Sequence, residues 1–325
     1  MKKSIVIINP NSGRKKKIDF LDNIKTILFD YGYECSIFLT EYKGHAEKIV
    51  SKIEDIDLLI SMGGDGTFNE VMRGNFKRKK RIVLAHLPLG TANDIGAMYG
   101  YGKNVLNNLK LLLEGKIKKI DICTINGIPF TYCAAFGKFT NVSYETPRKL
   151  KKQFGYLAYL IEGLKEMSGG TKLYPITYEV DNEEYQDKFS FILLSNANRI
   201  AGINNFYENV LLDDYRFEVL FCTLKDKKDI VKSLYHLTKN DITKVPGFKF
   251  YKVSSLKLKF KDKPTKGWCI DGEELEDKND EYEIKIVKNV EILIPEKNID
   301  KLFLNKEWKW RKFFLHFFST INAIN

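Results

Sequence analysis

The sequence has little histidine and no paired cysteine. Its four histidines, at positions 45, 86, 236 and 316, form no ligand-spaced cluster, which argues against histidine-based metal chemistry. The five cysteines (Cys35, Cys123, Cys133, Cys222 and Cys269) are scattered singly, with no C-x-x-C pair. That spacing excludes a disulfide framework and a zinc site, and it points to reduced thiols in a cytoplasmic protein. No apolar run approaches the roughly 20 residues that a spanning helix needs. The opening "MKKSIVIINP" is basic and then apolar, but the apolar stretch ends early in Asn-Pro, too short for a secretory h-region. Also missing are a Walker Gly-Lys-Ser/Thr, a G-x-G-x-x-G, and any repeat of fixed period. Acidic residues are the scarcer charge: 42 Asp and Glu stand against 53 Lys and Arg in 325 residues, a net +11. The excess favours anionic partners. No zinc-finger, helix-turn-helix or RRM signature accompanies it, so nucleic acid is not the expected partner.

What is present first reads as an α/β pattern. Strands are expected at "SIVIIN" (4–9), "CSIFLT" (35–40), "DLLIS" (57–61) and "RIVLAHLPLG" (81–90). Helices are expected over about 20–31, 44–52 and "NVLNNLKLLLEG". This alternation predicts a mostly parallel sheet with helices on both faces, a three-layer α/β domain over 1–122. Beyond residue 122 the pattern becomes short alternating runs, among them "ITYEVDNEEY", "FSFILLSNA", "RFEVLFCTL", "SLKLKFK", "EYEIKIV" and "VEILIP". These predict an antiparallel β-sandwich over 123–295, interrupted by one helical insert at about 154–166.

Three glycine-bearing loops follow successive strands: "NPNSGR" (9–14), "GGDGTFN" (63–69) and "PLGTAND" (88–94). Ligands of open α/β sheets bind at the carboxyl ends of strands. Glycine lets backbone N–H groups approach a phosphate, and the helix that follows favours an anion. A single such loop reads equally as a capped turn. Three in succession favour a nucleotide.

The set "INPNSG", "GGDGTFNEV", "PLGTAND" and, far downstream, "IDGEE" resembles the diacylglycerol kinase catalytic family, which includes sphingosine kinases and bacterial lipid kinases. The order and spacing match over almost the whole chain. "GGDGT" alone would be weaker, because NAD kinases and phosphofructokinases carry a similar loop. The resemblance implies an active site in a cleft between an NAD-kinase-like α/β domain and a β-sandwich, with the chain beyond 296 returning to the first domain. It implies ATP and Mg²⁺, and phosphorylation of diacylglycerol to phosphatidic acid. Other acceptors in view are a sphingoid base, ceramide, phosphatidylglycerol or NAD; a non-catalytic nucleotide- or lipid-sensing protein is the alternative outside enzymes.

Carried over by motif, the nucleotide-binding positions are Pro10, Asn11, Ser12, Gly13, Arg14, Thr40, Gly63, Gly64, Asp65, Gly66, Thr67, Phe68, Asn69 and Thr91. Asp65, Asp94 and Asp121 match acidic residues that the family links through water to the catalytic Mg²⁺. Glu273 matches the general base, preceded by Asp271 and Gly272. Without the resemblance, Glu273 reads as a hairpin residue in the acidic stretch "DGEELEDKND". Leu211, Asp214 and Arg216 fall where bacterial members hold a second, structural Mg²⁺. There the usual Asp-Gly is Asp214-Tyr215, which loses the easy positive φ of glycine.

Phosphoryl transfer needs positioning and charge neutralisation more than covalent help, so spaced aspartates and one carboxylate base suit it. Basic clusters at 14–17, 77–81, 148–152 and 257–266 would suit a peripheral approach to an anionic membrane, although charge runs are commonly just solvated faces. In the tail, Trp310, Phe313, Phe314, Phe317, Phe318 and Ile321 share one helical face. Docking on the protein itself or contact within a homodimer is the expected role; the membrane interface is the other.

Overall fold

The computed structural model describes residues 1–12, 20–137, 172–200, 202–204, 206–224, 242–265, 267–275, 278–296 and 299–304. In chain order the elements begin β1 (Lys2–Ile8), α1 (Leu21–Asp30), β2 (Tyr33–Leu39), α2 (His45–Val50), β3 (Leu58–Gly63) and α3 (Asp65–Phe76). Next come β4 (Val83–Pro88), α4 (Asp94–Met98), α5 (Val105–Leu113), β5 (Lys116–Ile125), β6 (Ile128–Phe130) and β7 (Cys133–Gly137). Then follow β8 (Tyr174–Val180), β9 (Glu183–Phe189), β10 (Phe191–Ser195), β11 (Arg199–Ile200), β12 (Ile203–Asn204) and β13 (Phe217–Cys222). The series closes with β14 (Phe248–Val253), β15 (Ser255–Phe260), β16 (Cys269–Ile270), β17 (Glu273–Glu274) and β18 (Glu281–Ile294).

Strands β2, β1, β3 and β4 are parallel neighbours in that order. Both faces of this sheet are covered, so β1 and β3 are almost wholly apolar rather than alternating. Ile5, Ile7 and Leu59 pack against Ala46 and Val50 of α2 and Phe68, Val71 and Met72 of α3. Val6, Ile8 and Ile60 face Ile24 and Leu28 of α1 and Leu109 and Leu112 of α5 on the other side. Each such fully buried aliphatic side chain contributes about 1.5–3 kcal/mol. The expected three layers are present, and Ile299, Leu302 and Phe303 join the first of these cores.

The second half forms the expected antiparallel sandwich. One sheet runs β14-β13-β10-β7-β16-β17. Facing it, β8 alternates strictly, burying Tyr174, Ile176, Tyr178 and Val180 beside Leu256, Leu258 and Phe260 of β15. These meet Phe136, Ile192, Leu194, Phe217, Val219 and Phe221 of the opposing sheet.

"EYEIKIV" and "VEILIP", read as two strands, are one strand of 14 residues, β18. The intervening "KN" is a bulge: the register with β5 shifts between Val287 and Val290, and Asn289 takes φ +59°. β18 pairs antiparallel with β15 and β5 and parallel with β4. The α/β sheet and one sandwich sheet are therefore a single ten-stranded sheet. The helical insert at 154–166, the tail from 305, and Gly13 and Arg14 lie outside the described residues.

Candidate active site

A cleft of about 380 Å³ opens at the carboxyl ends of β1, β2 and β3. Asn11, Ser12, Thr40, Gly64, Gly66, Thr67 and Glu273, all expected from the sequence, line it. The loops brace one another: Gly64 N donates to Ser12 Oγ at 3.3 Å, and Asn9 Nδ2 to Thr67 Oγ1 at 3.2 Å. Helix α3 starts after Gly64 with no side-chain cap. Its N-terminus thus presents uncapped backbone donors and a positive dipole end at this edge.

At Gly90 glycine is a steric necessity. A Cβ on Gly90 would stand 2.6 Å from Gly64 Cα, and Leu89 N already donates to Gly63 O at 2.6 Å. "PLG" can therefore pack on "GGDGT" only as bare backbone.

Glu273 reaches the cleft from the opposite sheet. Its Oε1 lies 3.6 Å from where a Gly66 Cβ would be, above the first turn of α3. The hairpin that carries it is anchored by Asp271, whose carboxylate accepts from Thr131 N (2.5 Å), Thr131 Oγ1 (2.8 Å), Tyr132 N and Cys133 N (both 3.0 Å). Asp271 at φ +47° and Gly272 at φ +89° then turn the chain so that Glu273 faces the glycine-bearing loops. Burial raises the Asp271 carboxyl pKa, and these donors pull it back.

The three acidic residues are buried behind the cleft rather than among its lining. Asp65 Oδ2 and Oδ1 accept from Asp94 N (2.9 Å) and Ile95 N (3.2 Å), tying the "GGDGT" loop to the start of α4. Asp94 Oδ1 receives Arg199 Nε and Gly202 N, each at 2.9 Å, and Oδ2 receives Gly202 N at 3.2 Å. Asp121 Oδ2 accepts from Tyr215 N at 2.6 Å. Burial pushes Asp65 and Asp121 each up to about 6. Among the described residues no three His, Cys, Asp or Glu side chains converge on one metal position.

Other predicted positions lie elsewhere. Phe68 is a core residue whose ring meets His86 at 4.9 Å, and the Asn69 side chain is buried. Gly63 is buried at the end of β3, whereas Pro10 and Thr91 are at least partly exposed and outside the lining. Leu211 is half-buried, and the Arg216 guanidinium donates to Lys252 O at 3.3 Å. Asp214 Oδ1 accepts from Arg216 N (3.1 Å) and Oδ2 from Lys252 Nζ (2.8 Å).

Asn9, inside the predicted loop 9–14, also lines the cleft, as do Glu41, Tyr42, Lys43 and Glu70, which were not predicted as site residues. Glu70 lies inside the quoted "GGDGTFNEV"; its carboxylate accepts from Gly44 N (2.9 Å) and Ala46 N (3.2 Å), and burial raises its pKa. The signal for Lys43 was its place three residues after Thr40 in a strand-end loop. The basic run 77–81 is in part structural: Arg78 Nη1 donates to Val50 O at 3.0 Å and also to Ile53 O. Lys257 and Lys259 pair with Glu179 and Glu281, as a solvated face does. No helix among the described residues is long and apolar enough to cross a membrane.

The sequence profile of the diacylglycerol kinase catalytic domain matches residues 3–125. This profile and the chain's relatives define a kinase that phosphorylates an alcohol acceptor. The chain is 32% identical over 259 residues to a diacylglycerol kinase of Staphylococcus saprophyticus, covering 79% of this chain and 85% of that one. It is 31% identical over 259 residues to one from Staphylococcus aureus, covering 79% and 82%. Its fold matches the crystal structure of a diacylglycerol kinase from Bacillus anthracis with a TM-score of 0.71 at 21% identity, over 91% of this chain and 98% of that one. The chain belongs to the diacylglycerol kinase family.

Proposed function

We propose that this protein transfers the terminal phosphate of ATP to the hydroxyl of diacylglycerol, giving phosphatidic acid and ADP. The observation that carries the reading is the Glu273 carboxylate above the first turn of α3, in the same cleft as Ser12, Gly64, Gly66 and Thr67. That position suits a base working beside a phosphate cradle. The acceptor oxygen forms its bond to the γ-phosphorus as the bond to the β-γ bridging oxygen breaks, and the hydroxyl proton passes to Glu273. ADP departs with the bridging oxygen.

The acidic residues fit a hold on Mg²⁺ through water. Asp65 has one N–H donor on each oxygen and Asp121 one donor in all. A carboxylate offers about four acceptor positions, so capacity for bound water remains. Asp94 is more committed, to Arg199 and Gly202. When bound, the ion would neutralise charge on the β- and γ-phosphates.

The same reading divides the chain at residue 122, with the segment from 296 rejoining the first part; the packing of Ile299, Leu302 and Phe303 supports it. A lipid acceptor implies work at a membrane surface, and the net charge of +11 would favour an anionic one. The same reading puts the protein in the cytoplasm, where its singly spaced cysteines would stay reduced.

The test is Mg²⁺-dependent phosphate transfer from ATP to diacylglycerol in mixed micelles containing anionic phospholipid, for wild type and Glu273→Gln. Phosphatidic acid from the wild type and at least about 10²-fold less from the variant is expected. No product from the wild type, with transfer to a sphingoid base or NAD instead, would overturn the diacylglycerol assignment.

A further inference from the structure

The segment between β12 and β13 contains the positions where the resemblance puts a structural Mg²⁺, and a protein cation stands there. Lys252 Nζ, from β14, lies 2.8 Å from Asp214 Oδ2, 3.0 Å from Asn209 O and 3.4 Å from Glu218 Oε1. An ammonium has three donors, and three oxygens meet it. The placement follows from register, because Glu218 and Lys252 are direct cross-strand partners in the β13–β14 ladder.

The surroundings are those of a built cation site. Glu218 is 1% exposed and Asp214 13%, whereas Lys252 retains 27%. Removing the ammonium would leave two carboxylates facing each other at low exposure. The free oxygen of Asp214 is closed by Arg216 N, and the chain turns through left-handed Asn209 (φ +58°) and Tyr215 (φ +63°). Tyr215 N, immediately after Asp214, donates to Asp121 Oδ2, and the Tyr215 ring lies 4.4 Å under the Lys288 ammonium. Neighbouring Asp213 is spent on Leu304 N.

We propose that the Lys252 ammonium takes the place of the structural divalent ion in this chain and, by fixing segment 209–216, acts as a positioning residue for Asp121. The link to Asp121 rests on the kinase reading above; the cation replacement does not. A divalent ion and the Lys252 ammonium would compete for the same Asp214 oxygen, so this segment should be indifferent to Mg²⁺ as long as Lys252 is present.

The experiment is thermal unfolding of the full chain without nucleotide, at constant ionic strength, in EDTA and in millimolar Mg²⁺. Wild type, Lys252→Met, Lys252→Arg and Asp214→Asn are compared. Lys252→Met should lose several degrees of Tm in EDTA and recover part of it in Mg²⁺. Lys252→Arg should stay near wild type. Asp214→Asn should lose Tm equally in both media, which keeps the test decisive if Lys252→Met does not fold. A Mg²⁺-induced rise in wild-type Tm that Asp214→Asn abolishes would overturn the proposal. So would a Lys252→Met protein as stable as wild type in EDTA. For positioning, kcat of Lys252→Met should fall about tenfold, the scale seen when a supporting partner is lost, and Lys252→Arg should restore it. If kcat is unmoved while the Tm pattern holds, the role at Asp121 fails and the cation replacement stands.

Discussion

Lys43 Nζ lies 3.4 Å from Glu273 Oε2, joining the loop after β2 to the β16–β17 hairpin across the cleft. Among the described residues Lys43 is the one cation lining the cleft, beside the carboxylates of Glu41, Glu70 and Glu273. A polyphosphate entering that cleft meets repulsion that this ammonium offsets together with the N-terminus of α3. Its side chain is largely exposed, so its contribution to stability is small.

Lys43→Met is therefore expected to lower kcat/KM by roughly 10²-fold, as removal of one donor aimed at developing charge does, with Tm unchanged. Lys43→Arg should recover most of the loss. Steady-state kinetics with ATP varied decides it; an unchanged kcat/KM in Lys43→Met would take Lys43 out of the reaction.

Asp271 is expected to matter for both stability and rate. Asp271→Ala leaves the Thr131, Tyr132 and Cys133 donors without their acceptor in a buried site, a loss on the order of 3 kcal/mol. Asp271→Asn keeps one acceptor oxygen and should fall between. Denaturant melts and kcat measured together test this. Loss of stability without loss of kcat would mean that Glu273 does not need its anchored hairpin.

Asp65 and Asp121 predict opposite pH trends in stability and activity. Burial raises both to about 6, whereas an unfolded aspartate titrates near 3.9. Between those values the folded chain holds protons that the unfolded chain has released. Their contribution to stability therefore declines as pH rises from about 4 to about 6 and is constant above. On the proposed Mg²⁺ role catalysis needs the ionised forms, so kcat/KM, which reports the free enzyme, should fall below about pH 6 more steeply than one protonation gives. The kcat profile should extend to lower pH, because Mg²⁺ near these carboxylates favours their charged form. A kcat/KM profile flat to pH 5 would contradict the role given to both.

Much of the fold was legible because its signals are local. Buried parallel strands read as apolar runs such as "DLLIS", and the glycines of "GGDGT" and "PLG" mark strand-to-helix turns wherever they occur in a chain. Ser12, Thr40, Gly64, Gly66, Thr67 and Glu273 were carried over from the family resemblance, since Glu273 alone reads as a hairpin residue, and they do line one cleft. The bulge at Asn289 was not legible: "KN" between two alternating runs has the composition of a turn, and only pairing with β5 and β4 keeps the strand going. Phe68 and Asn69 carry motif letters, yet helix rotation turns their side chains into the core. Lys43 and Lys252 are ordinary surface lysines by sequence. Each gains its partner from a residue far along the chain, Glu273 for one and Asp214 for the other. Composition, periodicity and glycine placement thus determined the layers and the phosphate loops, since backbone sterics and burial act within a few residues. Which charges face one another was decided by strand register and sheet packing, which bring together residues that no local spacing relates.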